Sequence, residues 1–316
     1  MPEKSRPKLN MSVVICTKNR TRDLRDCFDS MISQTHMPHE MIIVDSSDTD
    51  ATKELVEDYK TKINIPFKYV HTAPSLTRQR NIGIGVAGGD IITFLDDDVI
   101  LEPDYFKEIM NVFQSSTAIV AVGGNITNGA RLTGINKVFR TVFLLGRQNT
   151  KKGYMQRSGF TNDLAYHTIT EVTETEALSG CNCSYRKKVL ADHSFDEFFD
   201  GYCQGEDVEF SYRVGKEKGN KMVITPFAKL VHKRSPVDRT KVKRLFEMRM
   251  VNHYYIFTKL VKSRNNDWLF FWWSSIGVII LSIFHSIKTK NLSVISGVFS
   301  GYKKIIELAP MSGGRS

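Results

Sequence analysis

Cysteine is scarce in this 316-residue chain, with five residues at positions 16, 27, 181, 183 and 203. The number is odd and no CxxC pair occurs, which argues against a disulfide framework and against a structural zinc site. Free thiols in a reducing cytosol are expected, with Cys181 and Cys183 filling small spaces in a wall rather than ligating metal. Residues 1–10 lack an apolar core and carry two prolines, so no signal peptide is expected. Acidic residues are nearly missing from 229–264, where eleven lysines and arginines face only Asp238 and Glu247. That segment holds almost all of the formal net charge of +10. A basic stretch can serve nucleic acid, anionic lipid or solubility. Zinc-finger spacing, a groove-reading motif and an RNP-like aromatic strand pattern are all lacking, so nucleic acid is not an expected partner. Internal repeats and low-complexity tracts are lacking too. With 41% hydrophobic and 25% charged residues, the chain is neither disordered nor polytopic in composition.

What is present is a strand and helix alternation. Residues 12–17 (SVVICT) form a short β-branched run of the kind buried on both faces of a parallel sheet. Apolar side chains then recur at helical spacing over 24–32, and 41–44 is a second buried strand ending in Asp45. Helix over 53–59, strand over 67–70, helix over 77–86 and strand over 91–95 continue the pattern. A strand is expected at 120–124. Residues 125–176 are polar and poorly periodic, and are expected to form a flap on the substrate side. A helix over 208–218 stopped by Gly219 and a strand over 221–224 closed by Pro226 follow. The fold class is therefore α/β, a Rossmann-like, mostly parallel sheet flanked by helices. Ligands of such sheets bind at the carboxyl ends of the strands, where Thr17, Asp45 and Asp96 to Asp98 fall.

The strongest chemical signal is Phe94-Leu95-Asp96-Asp97-Asp98, an apolar strand delivering three carboxylates to a loop. Carboxylates this crowded repel unless a cation sits among them, and magnesium or manganese takes one or two such groups together with phosphate oxygens. Asp96 and Asp98 would share one side if the strand continues.

Residues 12–20 (SVVICTKNR), 42–45 (IIVD), 94–98 (FLDDD) and 205–207 (GED) with Arg213, the last preceded by 178–182 (LSGCN), stand in the order and spacing of family 2 glycosyltransferases. The chain thus resembles that family over roughly 11–235, and the resemblance implies the GT-A fold, a mixed sheet between helices. It implies that Thr17, Asn19 and Arg20 form the first nucleotide-contacting turn and that Asp45 bonds the donor's base. Arg80 would face the diphosphate, with Arg78 a second cation and Asn81 orienting the loop. Asp96 would touch ribose, Asp97 is the variable middle position, and Asp98 would hold a divalent metal, with His232 near metal or phosphate. Asp207 would be the general base and Glu206 would hold its loop or contact acceptor. Asn182 belongs to the acceptor-side segment, and Arg213 would anchor the acidic pair. The implied reaction is inverting transfer from a nucleotide sugar, UDP-linked by preference, to a lipid-linked or polysaccharide hydroxyl of a bacterial surface polymer. An inactive nucleotide-sugar-binding partner on the same fold is the alternative.

Residues 1–235 are expected to be the catalytic domain and 236–316 a helical tail. Within the tail, 268–287 are twenty residues without Lys, Arg, Asp or Glu, opening on Trp268, Trp272 and Trp273. The length just suffices to span a bilayer. Basic flanks on both sides favour a helix lying in the membrane surface, at the cytoplasmic face of the inner membrane.

Overall fold

The computed structural model describes residues 9–132, 134–146, 151–199, 201, 203–235 and 242–308. The leading residues on which the expectation about a signal peptide rests, and part of the basic segment at 236–241, lie outside this set. The described residues divide into two compact units, one within Met1–Ala130 and Ala165–Ser235 and the other within Arg131–Leu164 and Pro236–Ser316.

The first unit opens with β1 (Met11–Thr17), α1 (Thr21–Ile32), β2 (Glu40–Asp45), α2 (Ala51–Lys60), β3 (Phe67–His71), α3 (Leu76–Val86) and β4 (Ile91–Asp96). β5 (Val99–Leu101), α4 (Tyr105–Ser115) and β6 (Ile119–Ile126) come next. β1 pairs in parallel with β2 and β4, and β2 with β3. Every residue of β2 is buried and β1 is nearly so, as the unbroken apolar runs require of strands covered on both faces. β3, at the edge, alternates between partly buried and exposed. The register sets Thr17 opposite Asp45 and Cys16 opposite Asp96, so the carboxyl ends of three strands stop at one level.

The rest of the sheet departs from simple alternation. β5 and α4 stand where the sequence reading passes over 99–115, although Tyr105, Phe106, Ile109, Met110 and Phe113 make a buried stripe. After α5 (Gly134–Val142) of the other unit, the chain adds β7 (Thr173–Glu174), β8 (Asn182–Arg186), α6 (Lys187–Leu190), α7 (Glu206–Lys216) and β9 (Lys221–His232). β8 lies antiparallel between β4 and β6, giving the order β3-β2-β1-β4-β8-β6-β9-β5, with β7 on β9. β9 does not stop at Pro226. Its ladder with β6 jumps from Ile224 opposite Gly123 to Lys229 opposite Asn125, so the proline, which has no N–H to give, falls in the unpaired stretch. The strand then runs on against β5, pairing His232 with Val99 beside Asp98.

The second unit has its own core. α8 (Val242–Ile256), followed by a short π-helical turn, α9 (Asp267–Thr289) and α10 (Ser293–Leu308) enclose Met250, Tyr254, Phe257, Phe271, Val298, Tyr302 and Ile305. Part of the segment expected as a flap, 131–164, packs into this unit: Phe143 stacks on Trp273 at 5.0 Å, and Trp273 Nε1 donates to the Val142 carbonyl. Arg157 adds an ion pair to Asp267, which also caps the Ser263 and Arg264 amides at the entry to α9.

His253 is sandwiched between the rings of Phe160 and Phe271, its Nε2 2.9 Å from the Ser158 carbonyl oxygen. Burial pushes its pKa down to about 4. The unfolded chain takes up this proton near its ordinary pKa while the native state refuses it until much lower, so acid favours unfolding. Thermal melts followed by tryptophan fluorescence should therefore lose stability between pH 6.5 and 4, by about 3 kcal/mol if the shift is fully expressed. All three tryptophans lie in α9 and report on this unit. His253→Phe should flatten the dependence.

Candidate active site

β1 delivers Thr17 and the turn after it to the carboxyl edge of the sheet. Asn19 holds a left-handed backbone with φ of 56°, a conformation Asn tolerates better than most residues. Its backbone N–H donates to Ser47 Oγ, and its side-chain amide exchanges hydrogen bonds with the side chain and N–H of Asp48. The β1 and β2 turns are thereby locked together. Asp45 does not reach the crevice as expected. It is 0% exposed and already accepts from Ser47 N, Ser47 Oγ and Tyr69 Oη. Asp48, beyond this strand end, is an exposed carboxylate that the sequence pattern does not single out.

At the end of β4 the three aspartates take three different environments. Asp97 is buried, accepting from Thr17 Oγ1 at 2.7 Å and pairing with Arg20 Nη1 at 2.9 Å; burial pushes it up to about 7. Asp98 is 3% exposed and meets Arg20 Nη2 and the Ser235 N–H, both at 2.9 Å, and His232 Nε2 at 3.1 Å. Burial opposes its ionisation, but His232 and Arg20 outweigh this and hold the carboxyl well below the usual range. Asp96 is partly exposed, with Oδ2 3.7 Å from His232 Nε2. Burial alone would lower the His232 pKa, yet Asp98, Cys181 and Asp96 raise it to about 10. Asp96, Cys181 and His232 place one ligand atom each within 4.8 Å of one another. Cys181 is buried in the wall as expected, and it also reaches this cluster: β8 pairs antiparallel with β4, which carries the residue before Asn182 beside Asp96, and Asp96 N donates to the Cys181 carbonyl.

Arg80 also differs from its expected role. It is 3% exposed, with Nη1 2.9 Å from Glu206 Oε1, Nη2 3.1 Å from the Gly180 carbonyl and 3.8 Å from Asp96 Oδ1. A cation so enclosed is a bridge between β4 and the start of α7, with no face left for a diphosphate. Arg78, expected as a second cation, lies at the surface against Glu197, so Arg78→Ala should leave kcat/KM within about twofold, as for surface substitutions generally. Steady-state kinetics checks this. Asn81 does orient a loop, exchanging hydrogen bonds with both backbone groups of Phe195.

α7 begins at Glu206 after Gly205, whose φ of 92° suits a residue without Cβ. Asp207 Oδ2 accepts from Gly180 N and Oδ1 from Val208 N, each at 2.8 Å. Burial first, then the neighbouring Asp207 charge, pushes Glu206 up to about 7 against the pull of Arg80. A Cβ on Gly180 would stand 2.8 Å from Arg80 Nη2 and 3.3 Å from the Asp207 Cβ, so a side chain here would displace the Arg80 guanidinium. Arg213 anchors Glu209 and the Ser194 carbonyl, one turn away from the acidic pair it was expected to hold. Asn182 is 0% exposed, and neither polar atom of its side chain has a hydrogen-bond partner. In this closed position it offers nothing to an acceptor.

The sequence profile described as glycosyl transferase family 2 matches residues 12–193. The chain is 32% identical over 111 residues to the putative glycosyltransferase EpsH of Bacillus subtilis, a stretch covering 35% of this chain and 32% of that protein. It is 24% identical over 183 residues to the poly-beta-1,6-N-acetyl-D-glucosamine synthase of Staphylococcus epidermidis, covering 54% of this chain and 44% of that one. These matches span less than half of each relative. Among solved structures, the mannosyltransferase PcManGT from Pyrobaculum calidifontis, in complex with GDP-Man and Mn2+, is similar with a TM-score of 0.58 at 14% identity, covering 94% of this chain and 87% of its own. S. aureus TarS 1–349 is similar with a TM-score of 0.50 at 17% identity, covering 94% and 92%. At such identities the likeness concerns the fold, which is GT-A. The profile stops short of Glu206, Asp207 and His232, but it takes in β1, β2, β4, β8 and the aspartate triplet over more than half of the sequence, and on that ground the chain belongs to glycosyl transferase family 2.

Proposed function

We propose that the chain transfers a sugar from a nucleotide sugar, UDP-linked by preference, to a hydroxyl of a lipid-linked or polysaccharide acceptor, inverting the anomeric carbon in one displacement. The observation that carries this reading is the Arg80 bridge. It ties Asp96 at the end of β4 to Glu206 at the start of α7, and Gly180 ties Arg80 to Asp207. One rigid frame thus holds a phosphate-side carboxylate cluster and a separate carboxylate suited to proton abstraction. Asp207 takes the proton from the acceptor hydroxyl as it attacks. Its two backbone donors keep its position while the charge moves. Glu206 remains with Arg80 as a support, and Thr17, Asn19 and Arg20 shape the donor side.

A divalent ion of the manganese or magnesium class fits Asp96, Asp98 and His232. Asp98 is buried with Oδ1 3.1 Å from His232 Nε2, and imidazole with carboxylates suits such an ion. When bound there it would stabilise charge on the departing diphosphate.

The working location in this reading is a membrane surface, at its cytoplasmic face. α9 is 23 residues long with a mean hydropathy of 1.7 over its most apolar window, of which 33% is buried. Leu269, Ile276, Phe284 and Ile287 on α9, and Ile135, Val138 and Val142 on α5, are exposed. Free cysteines and the basic segment support a cytoplasmic, anionic face.

The test is transfer across a panel of nucleotide sugars with manganese or magnesium, together with flotation on anionic liposomes. Asp98→Ala should cut turnover by about two orders of magnitude, the several kcal/mol of charge stabilisation a metal supplies. Full activity in that variant would overturn the metal-assisted scheme, and failure to float would remove the membrane.

A further inference from the structure

Most residues at the crevice suit a hard, oxygen-loving ion, and one does not. Cys181 Sγ lies with an Asp96 oxygen and a His232 nitrogen inside a 4.8 Å circle, while Asp98 Oδ1 stands 3.1 Å from the same imidazole. We propose that Cys181 is a metal ligand, and that Asp96, Cys181 and His232 form a site for a thiophilic divalent ion such as zinc, cadmium or cobalt. It overlaps the place where the proposed reaction holds manganese or magnesium, and so it rests on that reading for its consequence but not for its existence.

The geometry carries it in three steps. First, the three ligand atoms come from different elements, β4, the turn into β8, and the end of β9, so sheet pairing preorganises the set. Second, the donor set of one thiolate, one imidazole and one carboxylate is that of zinc-like ions, whose bonds of about 2.0–2.3 Å are within reach through small side-chain rotations. Third, Asp98 adds a second buried carboxylate beside the set. It is 3% exposed, with Oδ1 3.1 Å from the same His232 nitrogen. The Cys181 thiol has the Ser179 hydroxyl, at 3.3 Å, and the His232 ring as hydrogen-bonding neighbours. On binding, the thiol and the imidazolium each release a proton to solvent, and the ion replaces both. With a thiolate in the set, zinc-class ions would exceed manganese in affinity and compete with it for the place.

The probe is cadmium or cobalt(II) added to the metal-free 316-residue protein, read by the ultraviolet charge-transfer band of a thiolate–metal bond. One band per chain is expected, abolished in Cys181→Ser and retained in Cys203→Ser, whose thiol lies away from the set. His232→Gln should keep a band but weaken binding by more than the ~10- to 100-fold that loss of an outer partner costs. Melting curves of each variant confirm folding, and if Cys181→Ser is unfolded, protection of Cys181 from iodoacetamide by cadmium in the wild type decides in its place. No band and no protection, or a band that Cys181→Ser leaves unchanged, overturns the proposal. Because the band is read without substrate, its loss is separable from failure of the glycosyl-transfer reading, which manganese-dependent turnover tests alone.

Discussion

Asp207→Asn should lower kcat by about 10²- to 10⁴-fold, the usual contribution of a positioned general base, while donor binding in the presence of manganese changes little. The amide cannot take a proton from the acceptor hydroxyl, yet it is nearly isosteric with the carboxylate. Its oxygen can keep one of the two backbone bonds now made from Gly180 N and Val208 N. The other N–H then faces an NH2 group, so a modest loss of stability accompanies the loss of rate. Measuring kcat and the donor dissociation constant separately distinguishes the two effects. A variant that binds donor but turns over slowly supports the base. Retention of wild-type kcat would move that role to another residue, and Glu206 would be the poorer candidate because Arg80 occupies it.

Arg80→Leu should destabilise the fold by about 3–5 kcal/mol, the cost of breaking a buried ion pair from one side. Glu206 is 5% exposed and would be left without its cation. It would respond by holding a proton, so the penalty should shrink at acidic pH. The double variant Arg80→Leu, Glu206→Leu should recover most of the loss, since two apolar groups replace two buried charges. Urea unfolding of the three proteins at pH 5 and pH 8 checks both statements. If Arg80 instead faced the diphosphate, the single variant would show a raised donor KM with little change in stability, and the double variant would recover nothing.

The two cases show how local and distant information divide. The Asp207 prediction begins from a short motif followed by a helical pattern, both readable in order along the chain. The Arg80 prediction could not begin there. The family resemblance sets Arg80 toward the diphosphate, and nothing near residue 80 in sequence announces Glu206, 126 positions away, or the Gly180 carbonyl. Asp45 misleads for the same reason, because the hydroxyl of Tyr69 that closes over it comes from a neighbouring strand.

By itself the sequence determined the α/β class, the parallel strands β1 to β4, the level at which Thr17, Asp45 and Asp96 end, and the acidic start of α7. These follow from local rules, namely unbroken β-branched runs, helical periodicity and polar residues at strand ends. It also marked the apolar stretch that becomes α9, and the family resemblance set His232 near the metal or phosphate that Asp98 would serve. Only the tertiary structure decided that β9 passes Pro226 to reach Asp98, that β8 carries Cys181 to Asp96, that Arg80 pairs with Glu206 and Arg78 with Glu197, and that residues 131–164 pack with the C-terminal helices. Each of those depends on pairing between segments far apart in the chain. Such pairing is set by the best joint burial of many side chains and by where a backbone lacking a hydrogen bond can be tolerated, and neither quantity is written in any single stretch of residues.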